Sequence, residues 1–245
     1  VNPTRFGQTV TFTATVTTVP VGFATPSGCV TFTVAGQPSP CLVLSGGVAT
    51  YPRSDLPVGN HAVSVAFTQQ NFFLASNQTL SGGHTVQKAD TTLAATSNAN
   101  PSVFGQPVTL TLGVSAVLPG AGTPGGNVAL TVGANPATNL PLSGGNAQSV
   151  RSDLPVGTHA VSGVYGGDAS FNGSSGNLSG GQVVNKASVV TTLTPPAFTP
   201  VSGQAFVLGV VFTGQAPSLA TPTGVATLTV NGNPSKSNGT DRPNV

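Results

Sequence analysis

A twelve-residue segment that carries both a histidine and an aspartate occurs twice in this chain. "RSDLPVGNHAVS" begins at Arg53 and "RSDLPVGTHAVS" at Arg151, 98 positions later, and eleven of the twelve residues agree. A histidine beside a carboxylate can act as a general base, and a serine would complete a catalytic triad. A Ser-His-Asp set would have to be assembled from Asp, His and Ser residues that look structural, since they lie in a turn and in the alternating strand that follows it. We therefore interpret His61 and His159 as structural side chains that donate to a backbone carbonyl over a turn, and we predict no enzymatic activity.

Only two cysteines are present, Cys29 and Cys41, and they flank "VTFTVAGQPSP", a strand followed by a Gly/Pro turn. This arrangement makes a cross-strand disulfide geometrically easy. The residues 98 positions later, Asn127 and Asn139, are polar and do not indicate buried packing. We predict a structural disulfide that closes a loop and contributes about 3 kcal/mol, with a pair of buried free thiols as the alternative. A disulfide would indicate an oxidising, extracellular setting.

A glycine-rich stretch, "YGGDASFNGSSGN" from Tyr165, offers Asp168 and Asn172 as oxygen donors for calcium. Calcium takes about six to eight oxygen ligands, usually including several carboxylates. Only one acid lies in the stretch, and its counterpart 98 positions earlier is Gln70. The sequence therefore predicts a turn joining two strands, with no metal site and no cofactor.

Two further groups of residues are candidates for surface chemistry. Phe72 and Phe73, within "QNFFLASN", form the one aromatic loop that fits binding to a glycan or another surface. N-x-[ST] triplets mark possible glycosylation sites, three of them in predicted turn regions, although such triplets also arise by chance in a chain rich in Ser, Thr and Asn. They begin at Asn77, Asn172, Asn177 and Asn238.

Composition excludes several classes of protein. Charged residues make up 5 % of the 245 residues, and all five acids are Asp, so paired carboxylates for glycoside hydrolysis are nearly unavailable. The seven basic residues are scattered singly, which argues against nucleic-acid binding. No apolar run approaches the roughly 18 residues of a spanning helix, so we predict no membrane insertion. Short alternating runs rich in β-branched residues favour an all-β fold.

The repetition extends far beyond the twelve-residue segment. At an offset of 98, "FGQ" at Phe6 aligns with "FGQ" at Phe104, and "SGQ" at Ser202 continues this register. "TPSG", "LSGG" and "SGGHTVQKA" recur in the same way without insertion or deletion. A unit of this length exceeds the roughly 20 to 50 residues of a solenoid repeat and matches a β-sandwich of about 100 residues. Repeat 2 shows about seven strand segments, from "TTLAATS" and "PVTLTLGVSAV" to "HAVSGVY" and "LSGGQVVNKA".

"NPSVFGQPVTLT", "TPTGVATLTV", "LSGG" and "SDLPVGTHAVSGVYGGDASFNG" together resemble the bacterial Ig-like domain repeats of surface and secreted proteins (the Big_3 type). The resemblance covers the chain to about Pro234. It implies tandem immunoglobulin-like Greek-key β-sandwiches, and it says little about function because the family provides spacers, stalks and adhesins alike.

The 98-residue register predicts three domains: residues 1–88 as repeat 1 without its first strand, 89–186 as complete repeat 2, and 187–245 as the first half of repeat 3 with a non-matching tail. The linkers are two or three residues long and contain no Gly or Pro. We therefore expect an extended, fairly stiff rod, with roughly 35 to 45 Å per domain. The incomplete repeats fit either a window from a longer array or strands supplied by another subunit through β-augmentation.

Two functions follow as hypotheses. The first is an extracellular structural rod on the bacterial cell surface, acting as a stalk, a spacer or the body of a filament, with neighbouring copies or Ig-like domains as partners. The second is an adhesin-type module whose loops bind a glycan or another surface.

Overall fold

A computed structural model describes residues 1–19, 24–68, 72–230 and 233–234 of the chain. These residues form strands, turns and loops, and none of them lies in a helix. The predicted all-β fold is confirmed, because the short runs that alternate apolar and polar side chains form strands with one buried face.

The described part of repeat 1 forms ten strands. They are β1 Thr4–Arg5, β2 Val10–Thr15, β3 Cys29–Val34, β4 Gln37–Pro38, β5 Leu42–Val43, β6 Val48–Arg53, β7 Gly59–His61, β8 Val63–Phe67, β9 Ser76–Thr79 and β10 His84–Gln87.

Repeat 2 contains the counterparts of these strands and one additional strand at its start, β11. Its strands are β11 Thr91–Ser97, β12 Ser102–Val103, β13 Val108–Ala116, β14 Asn127–Val132, β15 Thr138–Pro141, β16 Asn146–Arg151, β17 Gly157–His159, β18 Val161–Tyr165, β19 Ser174–Asn177 and β20 Gln182–Asn185.

Two sheets enclose the core of repeat 2. One has the strand order β11-β13-β16, and the other has the order β15-β14-β18-β19. A smaller sheet, β12-β20-β17, continues the sandwich, with β12 parallel to β20 and β17 antiparallel to it. The chain thus passes repeatedly from one sheet to the other, as between β13 and β14 and between β15 and β16, as in an immunoglobulin-like Greek key.

Strand β13 shows how the sequence pattern builds this core. Val108, Leu110, Leu112 and Val114 alternate along the strand, and all four are buried, as the period of two predicts. They join one cluster of buried side chains in repeat 2, whereas repeat 1 has a separate cluster built around Val30. Each complete or nearly complete repeat therefore has a core of its own.

Two details of repeat 2 differ from the predicted strands. The segment "HAVSGVY" is not one strand, because it is divided at Ala160, where the chain passes from the sheet of β20 to the sheet of β14. The end of the stretch predicted as a turn after Tyr165 instead forms the edge strand β19, which pairs with β18.

The three repeats differ at the edges of their sheets. In repeat 2, β13 pairs with β11 on one side and β16 on the other, whereas in the described part of repeat 1 its counterpart β2 pairs with β6 alone. Repeat 3 contributes the pairs β21 Val189–Thr194 with β22 Gly209–Gly214, and β23 Thr229–Val230 with β24 Asn233–Pro234. Its described side chains add nothing to the buried hydrophobic clusters. The predicted boundaries after residues 88 and 186 stay predictions.

Candidate functional site: the junctions between repeats

Each repeat carries a four-residue turn, which we call the Phe–Gly turn, shortly before strand β2 or its counterparts β13 and β22. It comprises residues 5–8, 103–106 and, with Ser in place of Phe, 201–204. In repeat 1 the Gln8 amide donates to the Arg5 carbonyl at 2.9 Å, and the Gln8 side-chain oxygen accepts from the Arg5 amide at 2.9 Å. Gly7 has φ +77°, which a turn of this hand requires at its third residue. The repeated "FGQ" is therefore a turn closed by its own glutamine.

The Phe–Gly turn of repeat 1 lies against repeat 2. The Phe6 ring meets the Phe171 ring edge-on, with centroids 5.4 Å apart, and the Phe6 carbonyl accepts from the Ala121 amide at 3.0 Å. A Cβ atom at Gly7 would lie 2.3 Å from the Ala121 carbonyl oxygen, so only glycine permits this approach. Phe6 packs against the buried clusters of both repeats and so joins their cores.

Polar contacts hold the linker in the same place. Arg5 forms an ion pair with Asp90 at 3.3 Å and donates to the Lys88 carbonyl at 3.0 Å. The Lys88 ammonium donates to the Asp168 carbonyl of repeat 2. Ala89 is fully buried, and its amide and carbonyl hydrogen-bond to Ser170 and Asn172. The linker thus packs against repeat 2 and is held there by hydrogen bonds.

A related backbone contact lies between repeats 2 and 3, although Phe104 is 41 % exposed there. The Ser218 hydroxyl donates to the Phe104 carbonyl at 2.7 Å, and the Leu219 amide donates to the Gly105 carbonyl at 3.2 Å. A Cβ atom at Gly105 would lie 2.6 Å from the Ala220 Cβ. The loop at 218–220 corresponds in register to the loop at 120–122, so the junction repeats with the period of the sequence.

Asp168, the calcium candidate, organises the turn that presents Phe171. Its carboxylate accepts from the amides of Gly125 at 3.0 Å and of Ser170 and Phe171 at 2.8 Å. Although burial raises the pKa of this carboxyl, the three amide donors hold it below its usual value. Asn172 donates to Asp90 at 2.7 Å. No cluster of potential metal ligands occurs among the described residues, and this loop is a structural turn.

The repeated histidines lie where the sequence predicts. The Nε2 atom of His61 donates to the Pro57 carbonyl at 2.7 Å, and His159 makes the same bond to Pro155. The Arg53 guanidinium donates two hydrogen bonds to the Asp55 carboxylate just before the turn, and this interaction lowers the pKa of the Asp55 carboxyl. The Arg151–Asp153 pair repeats this arrangement. The repeated twelve-residue segment is therefore a turn stabilised by hydrogen bonds among its own residues.

Cys29 and Cys41 form a disulfide, with Cα atoms 5.5 Å apart. The bond ties the start of β3 to the segment that precedes β5. In repeat 2 the corresponding connection is one four-residue strand, β15, whereas in repeat 1 it is divided into β4 and β5, which have two residues each. The disulfide therefore holds together the more irregular of the two edges.

The structure places the remaining candidates apart from one another. Asn77 lies within β9 and Asn177 at the end of β19, so these two triplets are on exposed edge strands, while Asn238 lies outside the described residues. Asn172 is engaged in the junction. Phe72 is 92 % exposed and Phe73 is half-buried against the core of repeat 1. Glycosylation and surface binding stay predictions.

Two buried polar side chains were not identified from the sequence. His84 is buried, accepts or donates a bond with the Thr4 hydroxyl at 2.9 Å, and meets the Phe12 ring edge-on. Burial lowers its pKa. Its counterpart in repeat 2 is Gln182, also fully buried. The sequence indicates Phe6 only as part of a repeated turn. The signal for its role at the junction is that a large apolar residue recurs at a turn, where polar residues are usual.

What this arrangement can do is mechanical, because the repeated contacts join domains and do not surround a reacting group. None of the described residues form a helix that is long and apolar enough to cross a bilayer. No curated protein matches the chain. The model of the bacterial Ig-like domain (group 3) matches residues 1–87 and again residues 95–185. Families of this kind are generally non-enzymatic, and the chain belongs to the bacterial Ig-like domain family as a tandem repeat.

Proposed function

We propose that this chain is a structural segment of an extracellular, cell-surface protein, in which Ig-like sandwiches joined by stiff junctions form an extended rod that serves as a stalk or spacer. The observation that carries the proposal is the position of Phe6, whose ring packs against the cores of two repeats at once. A linker buried in the next domain and tied by Arg5 and Lys88 supports the same conclusion. The disulfide fits an oxidising location outside the cell.

Small-angle X-ray scattering of the full chain tests the rod. End-to-end sandwiches give an elongated particle whose length increases by roughly 35 to 45 Å for each complete repeat. The Phe6→Ala variant should scatter as a more flexible particle with the same mass. A compact particle, with repeats 1 and 2 side by side, would contradict the proposal.

The proposal extends to a filament in which subunits share strands. Among the described residues no strand pairs with β2 on the side opposite β6. Because the Val16 amide is bonded toward the β6 side, the alternating amides of Thr11, Thr13 and Thr15 point to that open edge. An unpaired edge of this kind is a template for another strand.

Repeat 1 limits which strand fits there. In repeat 2 a Cβ atom at Gly176 would lie 2.1 Å from the Leu93 carbonyl, and the Leu93 side chain lies against Gly163. Repeat 1 has Gln78 and Val65 in these two places. An added strand must therefore lie farther from β9 and carry a smaller residue than leucine. Strand β21 has Thr191 at this position, so a second copy offers a suitable donor.

Sedimentation at increasing protein concentration tests strand sharing. A Thr13→Pro variant removes an amide at the free edge without removing a bond to β6. Assembly that the unmodified chain shows and Thr13→Pro lacks supports the filament. Assembly that is equal in both proteins, or absent from both, rejects it.

The alternative function is an adhesin-type module that binds a glycan through Phe72, which is 92 % exposed, and its neighbour Phe73. Glycan-array binding by the chain that is lost in Phe72→Ala/Phe73→Ala would favour this function. Unchanged or absent binding would leave the structural role as the better account.

A further inference from the structure

The face of repeat 2 that receives Phe6 has a counterpart in repeat 1, and there it is uncovered. Phe171 corresponds in register to Phe73, Val117 to Val19, and Gly122 to Ala24. In repeat 2 two of these residues lie against the Phe6 ring: Phe171 contacts it edge-on, and a Cβ atom at Gly122 would lie 3.3 Å from its edge. In repeat 1 the same positions line an open apolar depression of about 600 Å³.

Side chains of this end face are less exposed in repeat 2, where a Phe–Gly turn covers the face, than in repeat 1. Phe171 is 3 % exposed beneath Phe6, whereas Phe73 is only half-buried. Val117 is 39 % exposed and its counterpart Val19 is 94 % exposed. Repeat 1 also has Phe72 and Leu74 where repeat 2 has Ser170 and Asn172, so its end face is the more apolar of the two. An apolar patch of this kind on a soluble domain marks a contact surface.

We propose that this end face of repeat 1 is a docking site for the Phe–Gly turn of another Ig-like repeat joined to it in the same polypeptide at the 98-residue spacing. The proposal rests on the proposed rod function and names the partner at one more junction. Its occupant is argued from continuity with the junction already described: two Phe–Gly turns of this chain, at Phe6 and Phe104, each lie against the corresponding loop of the following repeat.

This assignment gives Phe72 and Phe73 a role other than binding a glycan. The Phe73 ring would meet the incoming Phe ring as Phe171 meets Phe6, edge to face, which is a favourable arrangement for aromatic side chains. Phe72 and Leu74 would add apolar contact around it, whereas in repeat 2 the side chain at the Leu74 position, Asn172, donates to Asp90 of the linker.

The test uses the full chain with an additional copy of residues 89–196 placed directly ahead of Val1. This block contains a complete repeat with its Phe104 turn, followed by the strand that carries Thr191. Its last residue corresponds in register to the position immediately before Val1, so the 98-residue spacing is kept. The chain has no tryptophan, so Phe73→Trp is a single fluorescent reporter. We expect its emission to shift to shorter wavelength in the extended chain and to become less accessible to a soluble quencher. Phe104→Ala in the added copy should abolish both effects.

The matched control is Phe171→Trp in the original chain, with and without Phe6→Ala, which reports on the junction already described. Emission from Trp at position 73 that is the same with and without the added repeat, or a shift that survives Phe104→Ala, overturns the docking site. If the control responds to Phe6→Ala in that case, the rod function still stands, whereas a silent control counts against the rod itself.

Hydrogen exchange of the unsubstituted chains keeps the proposal testable if Phe73→Trp disturbs folding. The segments at 16–19 and 72–76 should exchange more slowly in the extended chain, and Phe104→Ala in the added copy should restore their exchange. Equal exchange in the original and extended chains overturns the proposal.

Discussion

Tyr165 and Phe67 occupy the same position in repeats 2 and 1 and differ by one hydroxyl group. The Tyr165 hydroxyl is buried and makes no hydrogen bond of good geometry among the described residues, and burial, together with the neighbouring Asp168 carboxylate, raises the pKa of Tyr165 to about 12. A buried polar group that lacks a partner lowers stability by about 1 to 3 kcal/mol. Comparison of Tyr165 with Phe67 therefore indicates that the aromatic ring, and not the hydroxyl group, is needed for core packing at this position.

Tyr165→Phe should leave the free energy of unfolding of repeat 2 unchanged or raise it, because the remaining ring already packs in repeat 1 as Phe67. The reverse change, Phe67→Tyr, should lower the stability of repeat 1 by about 1 to 3 kcal/mol. Urea unfolding followed by amide NMR signals of each repeat measures both. A large loss of stability in Tyr165→Phe would show that the hydroxyl has a stabilising role.

His84 makes the stability of repeat 1 depend on pH. Its pKa is lowered in the folded state, so between that value and the unfolded value of about 6.5 the unfolded chain binds more protons. The free energy of unfolding should therefore be level above neutral pH and fall as the pH is lowered through about 6.5 toward the folded-state pKa.

His84→Gln should remove this dependence, because Gln182 fills the same buried position in repeat 2 without titrating. The measurement is the urea midpoint of each repeat at pH 7.5 and pH 5.5, a range above the titration of the carboxyl groups. Repeat 2 is the internal control. A repeat 1 midpoint that does not change with pH, or that still falls in His84→Gln, would contradict this assignment.

At the scale of the element, the disulfide stabilises the divided edge formed by β4 and β5 in repeat 1. The corresponding strand β15 in repeat 2 forms without a disulfide. Reduction, or Cys29→Ser/Cys41→Ser, should lower the free energy of unfolding of repeat 1 by about 3 kcal/mol, since the bond closes a loop of similar size to those for which this value holds. Asn127→Ser/Asn139→Ser, at the matching positions, should leave repeat 2 unchanged. Identical denaturation of oxidised and reduced protein would refute this role.

Several elements were predictable from the sequence because their signals are local. The alternation in β13 identified its buried face, the spacing of Cys29 and Cys41 identified the disulfide, and the turn phrase identified the roles of His61 and His159. Four spaced motifs, among them "LSGG" and "TPTGVATLTV", carried the resemblance to the bacterial Ig-like family.

Other elements depend on contacts that the local pattern does not record. The division at Ala160 arises because the chain changes sheets, and β19 forms because it can pair with β18, although its residues are typical of a turn. The role of Phe6 arises from residues more than a hundred positions away, Ala121 and Phe171. Only the folded chain brings these residues together.

At the scale of the whole molecule, the repeated turn and the buried linker both lie at the junction between repeats 1 and 2. Repeats 1 and 2 each have their own core, and the Phe–Gly turn of repeat 1 packs against both. The junction contains one aromatic pair worth about 0.5 to 1.5 kcal/mol beyond its buried area, together with an exposed ion pair that contributes little. The stiffness of the chain should therefore depend mainly on Phe6.

The distance between repeats 1 and 2 in solution tests this account most directly. Gln37 and Asn135 are exposed counterparts in the two repeats, and spin labels on Gln37→Cys and Asn135→Cys report their separation by pulsed electron paramagnetic resonance. We predict one narrow distance distribution in the parent chain that broadens when Phe6→Ala is added. A broad distribution in the parent chain that Phe6→Ala does not change would show that the junction is not fixed and would contradict the central claim.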